Sequence, residues 1–139
     1  MSRLTLLALS ALLAGVALAQ SHTVPPVPAD RARIHVIRPL SAVGEPRSIV
    51  FFVDGVMAVS LYDREYSWVD VAPGTHKIAA GTEAKANYVE FDLAVRSGDE
   101  HFVEYRQARS GYQQVRSTIR TIDPATARAG LESYKYRAK

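Results

Sequence analysis

Four histidines are the side chains of this sequence best suited to metal binding or acid–base chemistry. Two or three converging imidazoles can hold a zinc ion, but His22, His35, His76 and His101 are never two or four residues apart. This spacing predicts four separate surface or turn histidines and no metal site. The chain also contains no cysteine, which excludes disulfides, thiolate zinc sites and cysteine nucleophiles.

Three carboxylates lie close in sequence and could form the acid pair of a glycosidase. Asp63 and Glu65 fall in a predicted loop, however, and Asp70 alternates outward on a predicted strand. We interpret all three as ordinary solvated charges. No serine stands in a Gly-x-Ser-x-Gly elbow and no glycine-rich phosphate loop is present. The sequence therefore predicts a protein that is not an enzyme and needs no cofactor.

Two sets of side chains could instead bind a ligand. Tyr66 and Trp68, two residues apart on a predicted strand, could form a flat platform for a sugar ring, or could pack beneath a loop or helix. Arg106, Arg116 and Arg120 share even parity on the last two strands and could face phosphate-rich envelope polymers or anionic headgroups. The alternative for these arginines is a solvated face that guards an edge strand from aggregation.

The first residues have the features of a secretory signal. Arg3 precedes an apolar run from Leu4 to Leu18, and a small-x-small site ends at Ala19 before Gln20. We expect cleavage between Ala19 and Gln20, because about 15 apolar residues are too few to span a bilayer and no stop-transfer flank follows. Gln20 occupies the position where a lipoprotein would need cysteine. We therefore expect a periplasmic or secreted protein with no stable membrane span, not a lipoprotein.

The sequence predicts three parts for the chain. Residues 1–19 are expected to be the signal peptide, residues 20–30 a proline-rich extended lead-in, and residues 31–139 a single β-sandwich domain. The formal charge of +3, from 17 Lys and Arg against 14 Asp and Glu, is mild. Nucleic acid is therefore not an expected partner, because nucleic-acid binders concentrate basic residues more strongly.

Short β-branched or alternating segments separated by turn residues predict seven or eight strands. Asp54-Gly55 is a strong hairpin signal, and Pro73-Gly74 is typical of a tight turn. Asp123-Pro124 predicts a helix start, followed by an apolar stripe of Ala127, Leu131 and Tyr134. The fold class that follows is a mainly β, antiparallel β-sandwich with a C-terminal helix. The predicted strands are 33–38, 48–53, 56–61, 67–71, 75–81, 88–95, 101–107 and 114–122.

Residues 32 to 131 resemble a family of bacterial envelope proteins known as domain of unknown function 2846 (DUF2846), similar in style to PEGA-type β modules. The resemblance is carried by four segments: residues 33–39, residues 53–55, Tyr66 with residues 71–76, and the helix from Asp123 through Ala127 to Leu131. It implies a small exported β-sandwich, often found on lipoproteins, with no assigned activity. This chain lacks the lipoprotein cysteine.

Two functional hypotheses remain. The first is a non-enzymatic module of the cell envelope whose strand edge or loop face docks an unknown envelope protein, or which plays a structural accessory role. The second is binding of an envelope polymer, glycan or anionic, through Tyr66, Trp68 and the three arginines.

Overall fold

The computed structural model describes residues 24–41, 47–83, 88–112 and 114–139. The predicted signal segment 1–19 and the predicted cleavage site at Ala19 and Gln20 lie outside these residues. The described ranges contain nine strands and one helix. In chain order these are β1 (Ala32–Arg38), β2 (Ile49–Val53), β3 (Val56–Leu61), β4 (Glu65–Val71), β5 (Gly74–Gly81), β6 (Val89–Val95), β7 (Glu100–Arg109), β8 (Val115–Ile122), α1 (Pro124–Leu131) and β9 (Lys135–Tyr136).

The strands form two sheets, which confirms the predicted β-sandwich. The five-stranded sheet has the order β8-β7-β1-β4-β9, and the four-stranded sheet has the order β3-β2-β5-β6. Most pairs are antiparallel, but β1 pairs with β7 and β4 pairs with β9 in parallel. The parallel pairing places β1 at the centre of its sheet, where all seven of its residues are buried.

The main core lies between the two sheets and comes from the alternation of apolar residues along the strands. Phe51 of β2 and Tyr105 of β7 meet edge to face across this core, with ring centroids 6.3 Å apart. The hydroxyl of Tyr105 donates a hydrogen bond to the Ser117 side chain at 2.9 Å, so the buried phenol keeps a partner. Around this pair lie Ile34, Val36, Ile49, Val59, Leu61, Ile78, Ala80 and Val103, all buried.

The C-terminal segment covers the outer face of the five-stranded sheet. Its helix begins as predicted: the Asp123 carboxylate accepts from the backbone N–H of Thr126 at 3.0 Å, and Pro124 follows. The predicted stripe of Ala127, Leu131 and Tyr134 packs into a second apolar cluster on this face. The five-stranded sheet is therefore covered on both faces.

Strand β9 was not predicted, because two residues are too few to show a period. It pairs beside β4 through backbone bonds from Lys135 to the carbonyl of Arg64 and from Arg137 to the carbonyl of Tyr66, each 2.8 Å. Tyr136 is thereby placed over the outer face of β4.

The described part of the proline-rich lead-in touches the domain. Val24 packs against the second apolar cluster, and the backbone carbonyl of Pro25 accepts a hydrogen bond from Arg33. The prolines themselves are exposed. The described ranges include no helix with the length and apolar character needed to cross a bilayer.

Candidate functional site

A side-chain contact joins two turns at one end of the sandwich. The Nδ1 atom of His76, near the start of β5, lies 2.6 Å from Oδ2 of Asp54 in the β2–β3 turn. The other oxygen of Asp54 accepts from the backbone N–H of Lys77 at 2.9 Å, and the backbone N–H of Asp54 donates to the carbonyl of Lys77 at 2.9 Å. Three hydrogen bonds thus tie Asp54 to β5.

The second ring nitrogen of His76 is engaged as well. Its Nε2 atom lies 2.6 Å from the backbone carbonyl oxygen of Ala72, just before the β4–β5 turn. The hydrogen bond with Asp54, followed by the bond to Ala72, raises the pKa of His76 above its ordinary value. The same contact with His76 is the main reason that the pKa of Asp54 is lowered.

This aspartate–histidine pair is not arranged for general-base chemistry. A catalytic histidine oriented by a carboxylate must present its other ring nitrogen to the substrate. Here that nitrogen faces the carbonyl of Ala72. The pair therefore links the β2–β3 and β4–β5 turns.

The turn held by His76 leads into two exposed apolar side chains. Val56 is 71% exposed and Met57 is 63% exposed, and both begin β3, an edge strand of the four-stranded sheet. An edge strand leaves a row of backbone donors and acceptors available for pairing. We call residues 54–57 the hairpin tip; it combines an open strand edge with apolar side chains.

The hairpin tip could not be predicted from the sequence, because it depends on the pairing of distant strands. Asp54-Gly55 and the Pro73-Gly74 turn before His76 were both recognised as turns, but only the antiparallel pairing of β2 with β5 places Asp54 opposite Lys77 and beside His76. Val56 and Met57 are consecutive residues after the turn, so their side chains point to opposite faces of the strand. This is the one local sign in the sequence that at least one of them would be exposed.

Tyr66 and Trp68, the predicted aromatic platform, lie on one face of β4 and are both buried. Tyr136 packs over them, with its ring centroid 5.6 Å from that of Tyr66 and 4.6 Å from that of Trp68. A saccharide could stack on these rings only after the C-terminal segment moved. Their role in ligand binding stays a prediction.

The three predicted arginines do share one face of the five-stranded sheet. Arg120 lies opposite Glu104 across the β7–β8 pair, Arg106 opposite Thr118 and Arg116 opposite Ala108. Arg106 and Arg120 both contact the carboxylate of Glu104, which is buried, at 2.5 and 3.3 Å. Part of the positive charge is therefore neutralised within the domain, and polymer binding by these arginines stays a prediction.

His35 corrects the interpretation of the histidines as surface or turn residues. It is 3% exposed and stacks flat on Phe102, with ring centroids 4.3 Å apart. Its nearest acid is Glu100 at 3.5 Å, beyond good hydrogen-bond geometry. Burial is the main cause that lowers the pKa of His35, and the nearby Glu100 carboxylate only partly opposes it. The imidazole is therefore neutral at pH 7.

The acidic residues considered as a catalytic pair are engaged by separate partners. Asp63 contacts Arg38 at 2.9 Å, and Asp70 contacts Arg33 at 2.7 Å. Glu65 was expected in a loop but begins β4, is buried, and accepts from the backbone N–H of Tyr62 at 2.9 Å. Because each acid contacts a different partner, these contacts do not place any two of the three carboxylates in a common site.

Metal-binding groups do not cluster in the part of the chain that the structure covers: no three His, Asp or Glu side chains there could hold an ion together. His35, His76 and His101 instead contact Glu100, Asp54 and Asp99 respectively, each on its own. His22 lies outside the described residues.

The comparison with known families found a matching family model. The family model described as "Protein of unknown function (DUF2846)" matches residues 28–118. This range contains β1 to β7, the first half of β8 and the Asp54–His76 contact, and it ends before α1. No curated protein matches the chain.

Proposed function

The chain belongs to the DUF2846 family, and from that premise we propose that it is an exported, non-enzymatic β-sandwich module of the cell envelope that acts as a protein-interaction or structural accessory domain. The observation that carries the proposal is the hairpin tip. It presents Val56 and Met57 to solvent at the open edge of β3.

A protein partner suits this surface. An extended segment can pair with a free strand edge through its backbone while its side chains contact neighbouring apolar groups. The turn that positions Val56 and Met57 is tied to β5 by the hydrogen bonds of Asp54. A tip held in this way loses less conformational entropy on binding than a free loop would.

The non-enzymatic part of the proposal is supported by how the candidate catalytic groups are used. Both ring nitrogens of His76 face acceptors inside the domain. Asp63 and Asp70 neutralise two buried arginines, Arg38 and Arg33. These groups serve the fold, and their contacts leave no paired acid and base facing a common space.

Export is supported by the N-terminal sequence alone. A basic residue, an apolar run and the Ala17-Leu18-Ala19 site precede Gln20. The chain has no cysteine, so it has no site for a lipoprotein anchor and the fold does not depend on disulfides. The proposed location is therefore periplasmic or secreted without a lipid anchor.

The location is tested by fusing a reporter that is active only after export to the C-terminus of the full chain and of a variant lacking residues 1–19. We expect activity from the full chain and none from the truncated variant. Full-length, uncleaved protein in the cytoplasm would contradict the proposal.

The interaction is tested by recovering partners from envelope extract at low salt with three proteins. These are the mature chain, the double variant Val56→Ser and Met57→Ser, and the control Tyr112→Ser, whose side chain is 92% exposed elsewhere in the molecule. We expect the same partner with the mature chain and the control, and its loss with the double variant. Equal recovery by all three proteins would exclude the hairpin tip as the binding surface.

A further inference from the structure

We propose that His76 is a proton-controlled clasp: as an imidazolium it holds the Asp54–Gly55 turn against β5, and loss of its proton releases the hairpin tip. The clasp itself is a property of the isolated domain. Its control over partner binding rests on the function proposed above.

The geometry requires two protons on the ring. A backbone carbonyl oxygen can only accept, so the 2.6 Å contact with Ala72 means that Nε2 carries a proton. The opposite nitrogen, Nδ1, lies 2.6 Å from a carboxylate oxygen of Asp54. The pKa of Asp54 is lowered, so its carboxylate is ionised at neutral pH and both oxygens accept, one from His76 and the other from the Lys77 backbone. Only an imidazolium can donate to both acceptors at once.

Among the residues that the structure describes, the clasp has one charged partner. The carboxylate of Asp54 faces His76 from the β2–β3 turn, and the carbonyl of Ala72 faces it from the other side. Across the sheet His76 is paired with Leu93 of β6, which is apolar. The neighbouring Lys77 points to the opposite side of β5 and contacts Glu90 at 3.4 Å.

The turn needs the clasp because its backbone is in an uncommon conformation. Asp54 has φ of 51° and Gly55 has φ of 80°, which is the type I′ hairpin geometry. A left-handed aspartate is less favourable than a left-handed glycine. The contacts from His76 and Lys77 to the Asp54 side chain offset that cost and orient the residues that follow, Val56 and Met57.

Loss of the His76 proton changes this balance. A neutral imidazole has one N–H and cannot donate to both Asp54 and Ala72, so the nitrogen without a proton turns its lone pair toward an acceptor oxygen 2.6 Å away, which is repulsive. At least one of the two contacts must then lengthen, and the ring no longer bridges the β2–β3 and β4–β5 turns. Because the pKa of His76 is raised, the clasp stays closed to a higher pH than an ordinary histidine would allow and opens as the pH rises through that pKa.

The test is an NMR titration of the purified mature chain, with no partner present, that follows the ring nitrogens of His76 and the backbone amides of Gly55, Val56 and Met57. We expect both ring nitrogens to be protonated below the His76 midpoint. We also expect a His76 midpoint above the ordinary value of about 6.5, and a change in tip amide shifts and relaxation at the same midpoint. A His76 midpoint at or below the ordinary value would overturn the clasp, as would tip amides that ignore its titration.

Two variants separate the clasp from general effects of substitution. His76→Gln should show the released tip at every pH, whereas His101→Gln, which removes a single 3.4 Å turn contact with Asp99, should leave the tip titration unchanged. If His101→Gln alters the tip as His76→Gln does, the clasp is wrong. The wild-type titration decides the matter if a variant fails to fold.

Partner recovery at pH 6.5 and pH 9 tests the link to function. We expect weaker recovery at pH 9 for the mature chain and weak recovery at both values for His76→Gln. Recovery that does not change with pH, while the NMR titration behaves as expected, would overturn only the regulatory role. A tip that titrates as expected in a chain that binds nothing would overturn the proposed function and leave the clasp standing.

Discussion

Arg33 of β1 and Asp70 of β4 face each other in register, and the guanidinium holds the carboxylate through contacts of 2.7 and 3.0 Å. Arg33 is 1% exposed and its Cζ atom lies 5.3 Å from the ring centroid of Trp68. The pair lies on the face that α1 and β9 cover. The Arg33–Asp70 pair links β1 to β4 beneath the C-terminal segment, so Asp70 has a structural role.

Replacing Asp70 should therefore destabilise the domain strongly. Asp70→Ala leaves a buried guanidinium without its countercharge, which typically costs about 3 to 5 kcal/mol, and the partial exposure of Asp70 places the expected loss near about 3 kcal/mol. The control is Glu90→Ala, which removes the exposed pair with Lys77 and should cost less than about 1 kcal/mol. Urea unfolding measures both. Equal losses in the two variants would contradict the structural role of Asp70.

His35 should make the domain less stable in mild acid. Its folded-state pKa is lowered, mainly by burial, so below about pH 6.5 the unfolded chain binds a proton that the folded chain does not. The contribution of His35 to the free energy of unfolding should therefore fall as the pH falls below about 6.5, and His35→Gln should remove this part of the pH dependence. The measurement is urea unfolding at several pH values. A variant with the wild-type slope would show that His35 does not titrate in this way.

Trp68 provides a spectroscopic test of the covered aromatic face. It is the only tryptophan in the chain and stacks against Tyr136. We expect a blue-shifted emission that saccharides leave unchanged, a red shift in Tyr136→Ala, and no shift in the exposed control Tyr112→Ala. A saccharide that changes the emission of the wild-type chain would favour the glycan-binding hypothesis for Tyr66 and Trp68.

The hairpin tip should tolerate substitution without loss of stability. Val56→Ser with Met57→Ser removes side chains that are already in water, so the free energy of unfolding should change by less than about 0.5 kcal/mol. Phe51→Ala, in β2 of the same hairpin, should cost about 3 to 5 kcal/mol because Phe51 is fully buried. Thermal unfolding distinguishes these outcomes. A large loss in the double variant would mean that these residues support the fold.

The turns, the helix start and most strand bounds were predictable because they depend on local chemistry. The left-handed positions at Asp54 and Gly55 and the Asp123 cap could be predicted from the residues that form them. The apolar stripe of Ala127, Leu131 and Tyr134 likewise showed which side of the helix would be covered.

The burial of β1 was not predictable, because it depends on segments far along the chain. Arg33 and His35 occupy positions that would be exposed on a half-covered sheet. They are buried because β7 pairs with β1 and because α1 and β9 pack over the outer face of this sheet. The same C-terminal segment buries Tyr66 and Trp68 beneath Tyr136. Alternation along one strand shows which residues share a face and leaves open what covers that face.

The central claim, that the hairpin tip is the surface by which this domain engages an envelope protein, is tested most directly by photo-crosslinking in living cells. A photoreactive residue replaces Met57 in one strain and Tyr112 in another, since both side chains are exposed and neither lies in the core. We predict a discrete crosslinked product with an envelope protein from position 57 and none from position 112. A product from both positions, or from position 112 alone, would contradict the account.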